Sequence, residues 1–216
     1  MIRIVLVDDH ALVRSGFRMI LAQEADMEIV GEAANGEDAL KLARQLAPDV
    51  VLMDVHLPGI SGLEATERLA RAGATPRVIV VTVHDEQPFP RKLLEAGAAG
   101  YVTKACPAAE LIAAVREVAR GGRYLSSDVA RALALSTLPG QAQQQSPFEL
   151  LSSRELEVAV KLARGNSMQE IAARLSLSPK TVATYKYRVF EKLGVDSNVA
   201  LAHLAVQHRV LDGMPV

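Results

Sequence analysis

The sequence predicts an α/β domain built on a five-stranded parallel sheet, followed by a small all-α domain of four helices. Short apolar runs alternate five times with segments of helical period in the first part of the chain, as successive βα units do. A stretch rich in Gln, Pro and Gly follows at 138–147, and every segment beyond it has a helical pattern. Together these observations predict two domains joined by a flexible polar linker.

Hydrophobic period and turn residues place the elements of the first domain, which is expected to span 1–122. Gly-Glu-Asp at 36–38 and Pro107 are typical helix starts, and Gly121-Gly122 is a typical stop. Strands are predicted near 2–7, 27–33, 49–54, 77–83 and 99–103, and helices near 11–24, 36–46, 62–72, 88–96 and 107–120.

The remainder of the chain is expected to form a linker at 123–147, with a short helix near 126–136, and a helical domain at 148–216. Ser178 is suited to cap the third helix of this domain, and Pro179 fits its first turn, where a missing N–H costs nothing. The four helices are predicted near 153–164, 168–175, 179–193 and 197–208.

Composition excludes several classes of protein. The chain of 216 residues is 50% hydrophobic but has no long apolar stretch, one Cys and no Trp. These features argue against a disulfide framework and a membrane span. The first apolar run is too short for a signal peptide. We therefore expect a cytoplasmic protein with no direct membrane association.

Basic residues concentrate in one part of the second domain. The stretch 164–192 holds six Lys and Arg against two Glu. A local excess of positive charge is what a nucleic-acid surface requires. Most basic faces are only solvated, so the charge needs support from a motif.

Acidic residues stand at the ends of two predicted strands: Asp8 and Asp9 after the first, and Asp54 after the third. The carboxyl ends of strands form the binding crevice of an open α/β sheet. Three carboxylates gathered there would repel one another unless a hard cation such as Mg²⁺ neutralised them. The sequence thus predicts a magnesium site.

Two further polar residues, Thr82 and Lys104, follow the fourth and fifth strands and share this edge. The set suits phosphorylation of an aspartate. Asp54 would be the nucleophile, with Asp9 holding Mg²⁺ directly and Asp8 through water. Lys104 and Thr82 would stabilise the phosphoryl oxygens.

Four motifs in 1–122 resemble the receiver domain of two-component response regulators. They are Val7-Asp8-Asp9-His10, the run from Met53 to Gly59, Val81-Thr82, and Tyr101-Val102-Thr103-Lys104. The resemblance implies a flavodoxin-like sheet of order 2-1-3-4-5. It also implies that the backbone carbonyl of His56 is a Mg²⁺ ligand, and that Thr82 and Tyr101 couple phosphorylation to a surface change.

The segments 168–175 and 179–193 read as a helix-turn-helix. On the second helix, Val182, Tyr185, Val189 and Leu193 recur at helical spacing and should pack inward. The opposite face mixes cations with groups able to touch base edges. It presents Lys180, Thr181, Thr184, Tyr187, Arg188 and Lys192.

This second domain resembles the LuxR-type helix-turn-helix. The resemblance is carried by 151–155, 170–172, 177–182 and 192–195. Ala183 stands where relatives often carry Lys or Asn, so Thr184 and Tyr187 become the candidates for sequence readout. The remaining polar residues are assigned to the DNA backbone, although Arg188 could reach a guanine. In this family the helix at 197–208 would help to pair two domains, but its apolar residues equally fit the domain's own core.

The complete chain is similar to the NarL/FixJ class of response regulators, and within it most like the GacA/UvrY/SirA group. The resemblance implies a sensor histidine kinase as partner, of the membrane-associated hybrid kind. It further implies binding to double-stranded DNA as a homodimer when phosphorylated. No enzyme activity is expected, and no catalytic residue beyond the phosphoacceptor site.

Two other functions compete with this prediction. A phosphatase or transferase with an aspartyl-phosphate would also need an acid–base group and a substrate pocket, which the sequence does not supply. The second is a DNA-binding regulator that acts without phosphorylation and keeps a purely structural receiver half. Branched Val83 after Thr82, where a small residue is usual, leaves this alternative open.

Overall fold

A computed structural model describes residues 1–55, 57–73, 75–82, 90–127, 129–130, 146–175, 177–208 and 210–211. The described residues form two compact units, the first built mainly on 1–82 and 93–130 and the second on 146–211. Most of the predicted linker, 131–145, falls outside them. Nowhere in the described ranges is there a helix of the length and apolar character needed to cross a membrane.

The first unit is a parallel sheet with helices in the connections. Its strands follow the order β2-β1-β3-β4-β5-β6, so the predicted α/β class and the order 2-1-3-4-5 are confirmed. The elements are β1 (Ile2–Val7), α1 (Ala11–Leu21), β2 (Met27–Ala33), α2 (Gly36–Leu46), β3 (Val50–Asp54), α3 (Gly62–Ala72), β4 (Arg77–Thr82), α4 (Pro90–Glu95), β5 (Gly100–Thr103), α5 (Ala108–Ala119) and β6 (Tyr124–Leu125).

The sixth strand was not predicted. Tyr124 and Leu125 pair with Gly100 and Tyr101 of β5, within the stretch expected to be linker. Two residues are too few to show a strand period in the sequence. The sheet therefore continues beyond the Gly121-Gly122 turn.

The central strands β1, β3 and β4 are mainly apolar because both faces of the sheet are covered there. Every residue of β3 is buried, as are the last four of β1 and the last five of β4. The core cluster of this unit includes Leu6, Leu52, Ile79, Val102 and Val115. At the carboxyl ends of β3 and β4 this apolar character gives way to Asp54 and Thr82.

The second unit is wholly helical, as predicted. A 3₁₀ turn at Pro147–Leu150 precedes α6 (Ser153–Ala163), α7 (Met168–Arg174), α8 (Pro179–Leu193) and α9 (Asn198–Gln207). Ser152, Ser167, Ser178 and Ser197 each cap the helix that follows by accepting a backbone N–H. Phe148, Val158, Ile171, Val189 and Leu201 are fully buried in one core.

Candidate functional site

The strand register brings the predicted acids together at one edge of the sheet. Val7 of β1 pairs with Met53 of β3, so Asp8 and Asp54 stand side by side, one residue further on. Both are 2% exposed, whereas Asp9 is exposed. Two buried carboxylates in contact need a compensating positive charge.

Lys104 supplies that charge. Its ammonium lies 2.8 Å from Oδ2 of Asp8 and 2.9 Å from Oδ2 of Asp54. The backbone N–H of Lys104 donates to the carbonyl of Thr82 at 2.7 Å, which holds the loop after β5 against the end of β4. Burial lowers the pKa of Lys104, but the two carboxylates outweigh burial and raise that pKa above its ordinary value.

His10 is a member of this cluster that the sequence analysis did not assign. Its Nδ1 lies 2.7 Å from Oδ1 of Asp9 and 3.2 Å from Oδ1 of Asp8. Its backbone N–H also donates to Oδ1 of Asp8 at 2.8 Å. The sequence feature that could have indicated His10 is its position directly after the two acids. His10 thus orients both carboxylates at the rim of the site.

The arrangement fits a small divalent cation. One potential ligand atom from each of Asp8, Asp9, His10 and Asp54 lies within 4.8 Å of the others. Oδ2 of Asp8 is buried, and among the described residues it makes no hydrogen bond of good geometry, although Lys104 is in ion-pair range. A buried oxygen so placed is suited to a cation or an ordered water.

Thr82 and Tyr101 lie together inside the sheet. Thr82 is fully buried and Tyr101 is 3% exposed, and their side chains share a hydrogen bond. Burial raises the pKa of Tyr101 to about 12, and the hydrogen bond to Thr82 limits that rise. The pair links the end of β4 to the middle of β5, as coupling between these residues would require.

The loop after β3 is held by close packing that the sequence did not reveal. A Cβ added to Gly62 would lie 1.7 Å from the carbonyl oxygen of Asp54. The carboxylate of Glu37, from the first turn of α2, accepts the N–H of Ile60 at 3.1 Å. The first turns of α2 and α3 therefore fix the segment that follows Asp54. His56 and Val83 lie outside the described residues.

In the second unit, α7 and α8 form the predicted helix-turn-helix. Val182 and Val189 are fully buried, and Tyr185 and Leu193 pack against the same core. Arg154 of α6 donates to the carbonyl of Leu175 at 3.2 Å, where α7 ends. The inward-facing residues of α8 are those expected from helical spacing, and they fix which face points to solvent.

The predicted DNA-facing residues lie on the outer side of α8. Lys180, Thr184 and Arg188 are exposed, Thr181 is half-buried, and Tyr187 is 70% exposed. The Thr184 hydroxyl donates to the carbonyl of Lys180 at 3.1 Å, which leaves its oxygen able to accept a hydrogen bond. In the described part of the chain, no carboxylate lies within ion-pair distance of Lys180 or Arg188.

Lys192, the last of the predicted set, differs from the others. Its ammonium lies 2.6 Å from Oε2 of Glu155 and 3.4 Å from the carbonyl oxygen of Leu150. The sequence pattern did not indicate Glu155 as the partner of Lys192. The Ser-x-x-Glu capping box at 152–155 is visible in the sequence. It accounts for a buried Glu at 155, but it does not predict that this Glu pairs with Lys192.

A parallel sheet with an acidic pocket and a basic residue at its carboxyl edge, joined in one chain to a helix-turn-helix unit, defines a DNA-binding response regulator. Residues 4–116 match the response regulator receiver domain, and residues 149–205 match the luxR family of bacterial regulatory proteins. The chain belongs to the response regulator family with a LuxR-type DNA-binding domain.

Its relatives lie in the predicted group. The chain is 51% identical over 212 residues to the response regulator GacA of Pseudomonas aeruginosa, covering 98% of this chain and 99% of the relative. It is 48% identical over 208 residues to UvrY of Escherichia coli, covering 96% and 95%. A solved structure of two RcsB dimers bound to two parallel DNAs is 25% identical, with a TM-score of 0.59 and coverage of 95% and 98%.

Proposed function

We propose that this response regulator is switched by phosphoryl transfer from a histidine of a sensor kinase to Asp54. An oxygen of Asp54 forms a bond to phosphorus as the phosphorus–nitrogen bond of the kinase phosphohistidine breaks. The proposal rests above all on one observation: Lys104 lies 2.9 Å from Asp54 at the carboxyl edge of the sheet. There its ammonium would stabilise the charge of the transferred group. By analogy with the group, the kinase would be a membrane-associated hybrid.

We assign Mg²⁺ to the carboxylates of Asp8, Asp9 and Asp54, with the backbone carbonyl of His56 as a further ligand. The assignment is supported by the clustered carboxylate oxygens and by the buried Oδ2 of Asp8. When bound, the ion would neutralise charge on the phosphoryl oxygens. Asp9, the exposed member, would present its carboxylate from the solvent side.

The Thr82 hydroxyl would donate a hydrogen bond to a phosphoryl oxygen, and Tyr101 would transmit the change. A phosphoryl group adds about −1.5 to −2 charges and strong acceptor oxygens. Because Tyr101 shares its hydrogen bond with Thr82, a shift of the Thr82 hydroxyl toward the phosphate removes the partner of a buried phenol. The surface around β5 would respond.

The output we propose is binding of promoter DNA through α8, as a dimer when phosphorylated. Lys180, Thr181 and Arg188 would contact phosphates, whereas Thr184 and Tyr187 would read bases. The Thr184 oxygen can accept a hydrogen bond from a base amine, and its methyl can meet thymine. Exposed Val199 and Val206 of α9, 72% and 60% exposed, would lie between the paired domains.

We assign 1–122 to the receiver domain, 123–147 to the linker and 148–216 to the DNA-binding domain. The β6 strand at Tyr124–Leu125 adds a short extension to the receiver sheet. We propose that the protein works in the cytoplasm, where promoter DNA is found, and that it has no enzyme activity on a separate substrate.

The test is to incubate the full chain with Mg²⁺ and acetyl phosphate, then locate the phosphoryl group by intact mass and peptide mapping. One group on Asp54, absent from Asp54→Asn and lost with a chelator, is the expected result. Incubation with acetyl phosphate should raise the DNA affinity of the native chain but not that of Asp54→Asn. A chain that binds DNA equally in native and Asp54→Asn forms would instead be the phosphorylation-independent regulator.

A further inference from the structure

A single buried carboxylate joins two helices of the DNA-binding unit. Glu155 lies in the first turn of α6 and is 3% exposed. Its Oε2 accepts the backbone N–H of Ser152 at 2.7 Å and lies 2.6 Å from the ammonium of Lys192. Lys192 belongs to the last turn of α8. One oxygen therefore connects the beginning of α6 to the end of the recognition helix.

The lysine is held from a second side. Its ammonium also lies 3.4 Å from the carbonyl oxygen of Leu150, in the 3₁₀ turn that precedes α6. Two acceptors from one short segment thus face the same cation. Lys192 is partly accessible, with 40% of its side chain exposed, but its charge is directed toward the interior of its own unit.

Contact with DNA would compete with this arrangement. A Lys192 ammonium that turned to a phosphate would leave the Glu155 carboxylate buried without its cation, which is unfavourable. Lys180 and Arg188 incur no such cost, since the described residues offer them no carboxylate partner. The cations on α8 therefore divide into two kinds.

We propose that Lys192 is a positioning residue that fixes the recognition helix through Glu155, and that it does not bind a DNA phosphate. This inference rests on the proposed function of α8 and changes the role first expected for Lys192. It makes the end of α8 the anchored part of the helix, while Lys180 and Arg188 provide the electrostatic contacts. Both Lys192 and Glu155 would then be needed to hold α8 in its orientation.

The salt dependence of DNA binding separates the two roles. Each phosphate contact contributes about 0.9 to the slope of log K against log salt, because counterions are released. A lysine paired with Glu155 contributes nothing to that slope. Its loss would weaken binding by disturbing the orientation of α8. A positioning residue and a phosphate ligand thus differ in a quantity other than affinity.

The experiment uses the full chain after incubation with Mg²⁺ and acetyl phosphate, and a duplex that the phosphorylated native chain selects from a random-sequence pool. Affinity is measured over a range of salt for the native chain, Lys192→Gln, Glu155→Gln, the double variant and the control Lys180→Gln. We expect Lys180→Gln to reduce the slope by about 0.9. Lys192→Gln and Glu155→Gln should each weaken binding several-fold without changing the slope, and the double variant should weaken it no further.

If Lys192 instead binds a DNA phosphate, the expected results for the Lys192 and Glu155 variants are reversed. Lys192→Gln would then reduce the slope by about 0.9, and Glu155→Gln, which removes a negative charge beside the cation, would leave affinity unchanged or increase it. Either result overturns the inference. If Glu155→Gln fails to fold, the slope measured for Lys192→Gln decides, since only the loss of a phosphate ligand reduces it. A phosphorylated native chain that binds no duplex would overturn the proposed function of α8 itself.

Discussion

The ammonium of Lys104 lies 2.9 Å from Oδ2 of Asp54. Fifty positions separate the two residues along the chain, and they meet because β3 and β5 flank β4 in the sheet. The same ammonium also lies 2.8 Å from Asp8. A single ammonium therefore faces two buried carboxylates and balances only part of their negative charge where the proposed chemistry takes place.

Replacing Lys104 by Gln should slow phosphorylation of Asp54 by about 10²-fold, the cost of removing one charged stabiliser of a transition state. Rates with acetyl phosphate, followed by intact mass, provide the measurement. Lys41→Gln is the matched control, because Lys41 is an exposed lysine paired with Asp38 on α2. Equal rates for the native and Lys104→Gln chains would contradict a role for this ammonium in the transfer.

The glycine at the start of α3 should tolerate no side chain. In Gly62→Ala the new methyl would meet the Asp54 carbonyl oxygen at 1.7 Å, so the loop after β3 must move. We expect a loss of at least about 3 kcal/mol in the free energy of unfolding, together with impaired phosphorylation. Urea denaturation measures the first and acetyl phosphate labelling the second.

Gly16→Ala provides the comparison. A Cβ at Gly16 meets no atom within 4 Å, and the residue lies within α1. The change should stabilise the chain by about 0.5–1 kcal/mol, because Ala loses less backbone entropy than Gly in a helix. If both glycine variants changed the free energy of unfolding equally, close packing at Gly62 could not be the cause of the loss in Gly62→Ala.

Ionisation of Tyr101 should make the first unit sensitive to alkali. Burial raises the pKa of Tyr101 to about 12 from its ordinary value of 10.0, so the unfolded chain loses this proton first. The stabilisation is complete below about pH 10 and is lost as pH rises toward 12, by on the order of 2 kcal/mol. Denaturation in urea at about pH 9 and about pH 11 measures it.

Tyr101→Phe keeps the buried ring but has no proton to lose. Its free energy of unfolding should fall less between these two pH values than that of the native chain. At neutral pH the variant should be less stable by about 1 kcal/mol, because the hydrogen bond with Thr82 is gone. An identical decline with pH in both chains would show that Tyr101 does not hold its proton.

The Glu155–Lys192 pair should make the second unit sensitive to acid. Burial raises the pKa of Glu155, but Lys192 and the Ser152 N–H outweigh burial, so the pKa lies below its ordinary value of 4.5. The stabilisation is present above pH 4.5 and is lost as pH falls through the lowered pKa. Urea denaturation of native and Glu155→Gln chains at decreasing pH measures it. Only the native chain should lose this contribution as the pH falls. Equal losses in the native and Glu155→Gln chains would contradict a role for Glu155.

Local pattern was sufficient to predict most of the architecture. The apolar runs that became β1, β3 and β4 end at polar residues, and helical spacing on α8 placed Val182 and Val189 inward, where they are fully buried. These properties depend on neighbours in sequence, because period 2 and period 3.6 are visible in short windows. The strand β6 escaped prediction since two residues carry no period.

The site was only partly predictable for a related reason. Asp8, Asp9, Asp54, Thr82 and Lys104 follow strands, so topology alone assigns them to one edge of the sheet. The contact of Glu37 with Ile60 joins residues 23 positions apart through the packing of α2 beside the loop after β3. Nothing near Glu37 in the sequence distinguishes it from an ordinary helix-start acid.

The sequence by itself determined the fold class, the strand-end acids and the helix-turn-helix, because these follow from local hydrophobic period, capping residues and chain order. Only the tertiary structure decided which charged groups pair. Lys104 meets both Asp8 and Asp54, and Lys192 meets Glu155. Side chains far apart in sequence find their partners through the packing of whole elements, and burial then makes leaving a charge unpaired unfavourable.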